Sequence, residues 1–338
     1  LNPQVLLSRT INSISYGKFS VPIYIGVPYY LTVDNADNTG IIRPPLVTAD
    51  LVDVGNSVIT PDAASRSRDL SDLLGEVFFA ENFGVIGASA ATNTATITAA
   101  IGAAAAAGGG DVVLPAGLIV FNQLSLSANV YLVGRGRTVT TLQSTVAGNV
   151  VTFNGDRCGL KYLTLDGASL VASSVGVFSK SRDETVFNDV EIKRFQTGMH
   201  VKGGRRALWN DLYLENMVTG AKLHGDIDVG NGSDGDELRH NVWNGGRVTN
   251  CTTFGVDIQY IDRKAWHNSI NDVGFENNTG TALKLNGPRY VNLENCWWSG
   301  NTTNIAVADG VPTTSYRENT VVGVKVTGGS MTGGAVTM

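Results

Sequence analysis

Gly198-Met-His-Val-Lys202 is answered 22 residues later by Gly220-Ala-Lys-Leu-His224. The same short run returns as Gly255-Val-Asp-Ile-Gln259, Ala282-Leu-Lys-Leu-Asn286 and Asn304-Ile-Ala-Val-Ala308. A second run keeps step with it: Asn188-Asp-Val-Glu-Ile192, Asn210-Asp-Leu-Tyr-Leu214, Asn271-Asp-Val-Gly-Phe275 and Glu294-Asn-Cys-Trp-Trp298. Short strand-like runs recurring at a period of roughly 20–50 residues are the mark of a solenoid. Successive residues of a strand point to opposite faces. Met199/Val201, Ala221/Leu223, Val256/Ile258, Leu283/Leu285 and Ile305/Val307 are therefore predicted to stack inside. Alternate positions form two outward columns: Phe178, His200, Lys222, Asp257, Lys284, Ala306, and Lys180, Lys202, His224, Gln259, Asn286, Ala308.

The second run reads the same way. Val190/Ile192, Leu212/Leu214, Val273/Phe275, Cys296/Trp298 and Val324/Val326 point in. Asp189, Asp211, Gly245, Asp272, Asn295 and Gly323 form one outward column, and Glu191, Tyr213, Arg247, Gly274, Trp297 and Lys325 another. Beyond them Arg194, Asn216, Asn250 and Asn277 align, and an asparagine ladder is predicted at a turn, since Asn tolerates the left-handed conformation and its amide bonds along a stack. Uniformly apolar inner positions beside mixed outer ones fit a coiled parallel sheet rather than a helical solenoid, with coils repeating at about 4.8 Å.

Composition agrees with strands. The chain has 338 residues, 43% hydrophobic and 16% charged, with 40 glycines, and Val, Thr and Asn are abundant. A net charge of -5 and the absence of a basic run argue against nucleic acid as a partner. No apolar run reaches membrane-spanning length and no signal peptide opens the chain. Cys158, Cys251 and Cys296 show no paired spacing and are expected to be reduced core or turn thiols. No cofactor motif and no metal-ligand spacing stand out. Gly134-Arg-Gly136 lacks the strand–helix–strand setting of a dinucleotide site, and the acidic loop 225–237 fails the EF-hand template because Gly230 falls where a ligand belongs.

The first 60 residues differ in character. Ile23-Tyr-Ile-Gly26 and Val27–Val33 read as strands, 34–40 as a turn, and Ile41-Ile42 as a further strand, which makes a small β-rich domain over 1–60. A short connecting helix is predicted over 61–76, with Pro61 at its start and Leu70, Leu73 and Leu74 at helical spacing, inside a linker over 61–80. The Ala-rich stretch from Thr92 to Ala107 reads as a second helix, ended by Gly108-Gly-Gly110. Two strands follow at Asp111–Leu114 and Leu118–Phe121, and Asn129-Val-Tyr-Leu-Val133 is expected to begin the repeat, which makes 81–338 the solenoid. The chain opens on Leu1, and the strand pattern runs to Met338, so a fragment, or an end covered by subunit mates, is expected.

Asn82-Phe-Gly-Val-Ile-Gly87, the Ala-rich helix ending in Gly-Gly, Val113-Leu-Pro-Ala-Gly117 and Asn129-Val-Tyr-Leu-Val-Gly-Arg-Gly-Arg137 resemble the opening of the pectate-lyase-like right-handed β-helices of bacteriophage tailspikes. Arg66-Ser-Arg-Asp-Leu70 is similar to the neck helix that precedes this opening, and Gly17-Lys18 with Ile23–Gly26 to a virion-attachment domain. The chain carries Ala88–Ala95 where members often have an Asp-rich stretch. The resemblance covers 61–338. It implies an all-β fold, a right-handed single-stranded parallel β-helix. It also implies a homotrimer held on a virion tail or baseplate through the N-terminal domain, acting at the bacterial cell surface. Its partner would be a surface polysaccharide, capsule or O-antigen, which many relatives cleave by hydrolysis or lyase chemistry. A non-catalytic receptor-binding spike of the same fold stays open.

Glycoside hydrolysis needs two carboxyl groups, about 5 Å apart for retention and roughly 6.5–9.5 Å for inversion. Asp189 and Asp211 lie one coil apart, about 5 Å. Glu215 and Glu276 flank Thr249, and Asp211 and Asp272 flank Gly245, each at about 9.6 Å. Like charges this close are expected to raise one pKa. Lyase chemistry would use a base and a neutraliser of a uronate carboxylate, for which His200, Lys202, Lys222 and His224 are placed diagonally on adjacent coils; the plainer reading is a solvated basic patch. Tyr213, Trp297 and Tyr260 are candidate sugar-stacking rings. Trp209, Trp243 and Trp266 recur as packing or turn residues, Trp298 points to the core, and His240 and His267 read as structural.

Overall fold

The computed structural model describes residues 33–34, 41–42, 77–87, 89–225, 237–259, 265–286, 289–308, 325–327, 330–332 and 335–337. The chain divides into two compact units, Leu1–Leu73 and Leu74–Met338. In the first, Val33–Asp34 pairs antiparallel with Ile41–Ile42, as expected of strands on either side of the turn. The expected helix at 61–76, the acidic loop over 226–236 and Tyr260 lie outside the described residues.

The second unit is a right-handed parallel β-helix. Each coil contributes to three parallel sheets. The first sheet stacks Val77–Phe79, Gly110–Val113, Val130–Val133 and then 159–161, 186–188, 208–210 and 242–244 of the later coils. The second stacks Gly117–Val120, Thr140–Gln143 and then 163–166, 190–193, 212–215, 246–249, Gly274–Glu276 and Trp297–Ser299. The third carries the glycine repeat, with Val177, Met199, Ala221, Val256, Leu283 and Ile305 in register. Pairing starts with Val77–Phe79, ahead of the expected beginning at Asn129.

The repeated glycine has a steric cause. A Cβ on Gly198, Gly220 or Gly255 would lie 2.6, 2.4 or 2.4 Å from the carbonyl oxygen of the equivalent residue in the next coil. The inner stacks are as dry as their alternation requires: Val190, Ile192, Leu212, Leu214, Met199, Ala221, Val256 and Leu283 are fully buried. Phe187, Trp209 and Trp243 form an edge-to-face column, Phe275 lies flat on Trp298 at 4.2 Å, and all five rings are core. Cys158, Cys251 and Cys296 are buried free thiols. Burial pushes the Cys158 and Cys251 thiols up to about 12.

The N-terminal end of this core is closed by helix α1, Ala90–Ala106. Ile97, Ala100, Ile101 and Ala104 are its buried face. Asn93 ties it down, donating to Gly87 O and Val120 O at 2.7 Å each. A helix there hides the sheet edge that an open coil would expose.

Two expectations are corrected. The column Asp189, Asp211, Gly245, Asp272, Asn295 does not continue the strand alternation: Asp189, Asp211 and Gly245 fall inside continuous strands, but the ladder pairing skips them. Every member has positive φ (50°, 50°, 70°, 54°, 51°) and forms the corner at which the chain turns from the first sheet into the second. Asp, Asn and Gly suit that corner because they tolerate the left-handed region. In the last coil, Val326 pairs with Leu293 and Met331 with Trp298, so Lys325 stands beside Asn292 and Ser330 beneath Trp297. The apolar alternation of the final run fits either sheet, which is why Val324/Val326 had been aligned with Cys296/Trp298.

The expected asparagine ladder is present at the next corner. Asn216, Asn250 and Asn277 have φ of 57°, 55° and 53°, and Asn250 Nδ2 donates to Asn216 Oδ1 at 3.1 Å. Further ladders were not anticipated. Asn210, Asn244 and Asn271 bond along the outside of the first sheet. Asn241–Asn268 and Asn278–Asn301 bond in the interior, where they satisfy backbone groups of the turns.

Candidate functional site

The outer face of the second sheet brings the sequence-predicted glutamates together. Glu215 pairs with Thr249 and Thr249 with Glu276, which leaves one coil between the two carboxylates. Arg247, on that middle coil, reaches both. Its Nη2 donates to Glu215 Oε1 at 2.8 Å and its Nη1 lies 3.7 Å from Glu276 Oε2. The bond to Glu215 raises the Arg247 pKa. Trp297 lies over Gly274, where even a Cβ would meet the ring at 2.5 Å, and its indole N–H donates to Glu276 Oε1 at 2.9 Å. The neighbour of each glutamate is thus a guanidinium and not another carboxylate, so the expected like-charge repulsion is replaced by pairing.

Farther along this face, Arg137 reaches from the 134–139 loop across two coils. Its guanidinium sits 3.8 Å from the centre of the Tyr213 ring, and its Nε donates to Asp189 Oδ1 at 2.9 Å. Tyr213 therefore has one face occupied and is not the open stacking platform expected of it; Trp297, 37% exposed, remains accessible. Thr164 and Lys193 both donate to Glu191 Oε2, at 2.9 and 2.8 Å. Asp166, nearly buried, is gripped by both ends of the Arg194 guanidinium. Burial pushes its carboxyl up, but that grip and the Ala168 N–H hold it below the usual carboxylate range. Asp211 and Asp272 are exposed on the corner beside the glutamates.

The third sheet carries a different constellation. His200 stands opposite Lys222, and Lys202 opposite His224, on neighbouring coils. The imidazoles meet edge to face at 5.1 Å. Burial, with His224, Lys202 and Lys222 close by, pushes His200 down to about 3, so it is neutral at physiological pH. Asp257 follows in the same column, 2% exposed, with Gln259 donating to its Oδ2 at 2.8 Å, His224 Nε2 at 3.8 Å and Lys284 Nζ at 3.9 Å. The group is half-buried rather than a solvated patch. His240, His267 and Tyr290 are stacked corner residues, with rings 5.3 and 4.9 Å apart.

Arg247, Arg137, Asp257 and Lys284 were not singled out from sequence as site residues. For Arg247 the signal was present: its column lies two residues from Thr249, between the glutamates. Arg137 gave none, because a loop residue's reach is set by the turn that carries it. Among the described residues no cluster of His, Cys, Asp and Glu could hold a metal ion, and no helix is long and apolar enough to cross a membrane.

No family model matches the chain. An alignment 107 positions long, covering 27% of the chain, is 38% identical to the mannuronan C5-epimerase AlgE3 of Azotobacter vinelandii and spans 6% of that protein. Among solved structures, ORF18 of Geobacillus virus E2 superposes with a TM-score of 0.56 at 16% identity, over 72% of this chain and 54% of that one. The tailspike protein gp49 of Acinetobacter baumannii bacteriophage Fri1, a capsular polysaccharide depolymerase, superposes with a TM-score of 0.52 at 14% identity, over 84% of this chain and 66% of that one. At these identities the likeness establishes a shared β-helical fold.

Proposed function

We propose that the chain is the β-helical body of a phage tailspike that grips a bacterial surface polysaccharide and cuts it by glycoside hydrolysis. One observation carries the reading: Glu215 and Glu276 share one outward face, two coil spacings apart, with Trp297 bonded to Glu276 at the edge. Their backbones are about 9.6 Å apart by strand spacing, close to the roughly 6.5–9.5 Å that suits inversion, and both carboxylates approach Arg247. Glu215, held at 2.8 Å by Arg247, is assigned the role of general base that activates water. Glu276, in looser contact with Arg247, is assigned the role of general acid. The open face of Trp297 offers the apolar surface on which a sugar ring stacks. The shared fold with a capsular depolymerase and the stretch similar to a mannuronan-modifying enzyme support a polysaccharide as ligand. A homotrimer anchored to the virion tail through the N-terminal unit, acting at the cell surface, belongs to the same reading.

The test is release of reducing ends from purified capsule or O-antigen. Glu215→Gln and Glu276→Gln are each expected to slow release by about 100-fold or more while the fold persists. Asp211→Ala probes the corner column in parallel. Undiminished release by both glutamine variants overturns the assignment. A second reading, a spike that binds glycan without cutting it, is favoured by Arg247, which lies between the two glutamates and contacts both. Binding without reducing-end release would establish it.

A further inference from the structure

The outer face of the third sheet holds four basic side chains in a square on two neighbouring coils: His200 above Lys222, and Lys202 above His224. Lys202 and Lys222 form no ion pair with any described residue, unlike Lys284, which lies near Asp257, or Arg247, which holds Glu215. The Nε2 atoms of His200 and His224 are buried and have no hydrogen-bond partner. Phe178 closes the square on the N-terminal side, its ring edge-on to His200 at 5.7 Å. Asp257, almost wholly buried, bounds it on the C-terminal side as the ladder partner of Lys222; its Oδ1 makes no hydrogen bond, Gln259 donates to its Oδ2, and Lys284 lies 3.9 Å from Oδ1.

Two lysines stand side by side with no carboxylate in ion-pair contact, and two buried imidazole nitrogens lack a hydrogen-bond partner, which is unfavourable. The cost is met when an anion enters. The parallel ladder fixes the four backbones, so little ordering is required on binding. The second sheet contrasts with this: there Arg137, Lys193, Arg194 and Arg247 each have a carboxylate partner.

We propose that His200, Lys202, Lys222 and His224 form a binding site for the carboxylate of an acidic sugar, so that the polysaccharide recognised by this chain contains uronate or a similar carboxylated residue. Lys202 and Lys222 supply charge-assisted bonds to the carboxylate, with the two imidazoles forming the walls between them. The inference rests on the reading that the chain acts on a polysaccharide. It does not depend on where, or whether, the glycan is cut.

Isothermal titration of the whole chain with oligomannuronate and oligogalacturonate, and with the same oligomers after chemical reduction of their carboxyls to alcohols, tests it. The acidic forms are expected to bind about tenfold or more tightly than the reduced forms. Lys202→Gln and Lys222→Gln should each weaken binding of the acidic form about fivefold or more without changing the melting temperature, and Lys222→Arg should retain it. Equal affinity for acidic and reduced oligomers, acidic binding unchanged in both glutamine variants, or no binding of either oligouronate would overturn the proposal. Cleavage of a neutral capsule with no uronate binding would defeat this inference alone; uronate binding without reducing-end release from host polysaccharide would defeat hydrolysis alone.

Discussion

At Gly220 a methyl group would meet the Gly255 carbonyl oxygen at 2.4 Å, and that atom belongs to a ladder that cannot shift alone. Gly220→Ala is expected to destabilise the protein by about 1–3 kcal/mol, read as a lower melting temperature. A substitution without effect would show that the coils can separate locally. His200 makes a second residue-scale prediction. The unfolded chain takes up its proton near the ordinary value of 6.5, the folded chain only near 3. Stability is therefore full above about pH 6.5 and falls as pH drops toward 3, because only the unfolded state binds the proton across that window. His200→Asn should flatten this limb of a stability-against-pH curve; an unchanged limb would mean that His200 is not the group responsible. At this scale the sequence was informative wherever a column could be aligned. Glu215, Thr249 and Glu276 fell into register as expected, and so did the His/Lys square. Arg137 and the shielding of Tyr213 were not legible, since they depend on a loop trajectory.

Among the elements, the corners carry more order than alternation alone discloses. Asn278 is fully buried; it accepts from Cys251 N at 2.9 Å and donates to Val248 O at 3.2 Å and Asn301 Oδ1 at 2.8 Å. Asn278→Ala would leave a buried N–H and a buried carbonyl unpaired, at a cost of about 3 kcal/mol. Chemical denaturation measures this, and a loss below about 0.5 kcal/mol would mean that the turn finds other partners. The strands themselves could be read because burial imposes a period of two. The bend at the Asp column is invisible to this pattern because Asn-Asp-Val preserves the alternation across the corner. Only φ distinguishes a residue at the bend from one beside it. The final run was assigned to the wrong sheet for a related reason: Val326 and Met331 are equally acceptable inward residues, and the choice between them is made by which coil lies above.

On the scale of the molecule, each coil of the β-helical unit touches its neighbours and little else, so protection should be graded along the axis. Hydrogen exchange is expected to be slowest for amides of 186–224, which have coils on both sides, and faster for 325–337, whose strands pair on one side only among the described residues; uniform protection would indicate one all-or-none unit. The sequence by itself determined that this chain coils, which residues face the core, and which chemical groups share a column, because periodic burial leaves a periodic record. The tertiary structure decided how those columns are charged. Arg247 bridges the two glutamates, whereas Lys202 and Lys222 form no ion pair among the described residues. Both results depend on where long side chains end, several ångströms from their own backbone, and alternation along a strand constrains only where they begin.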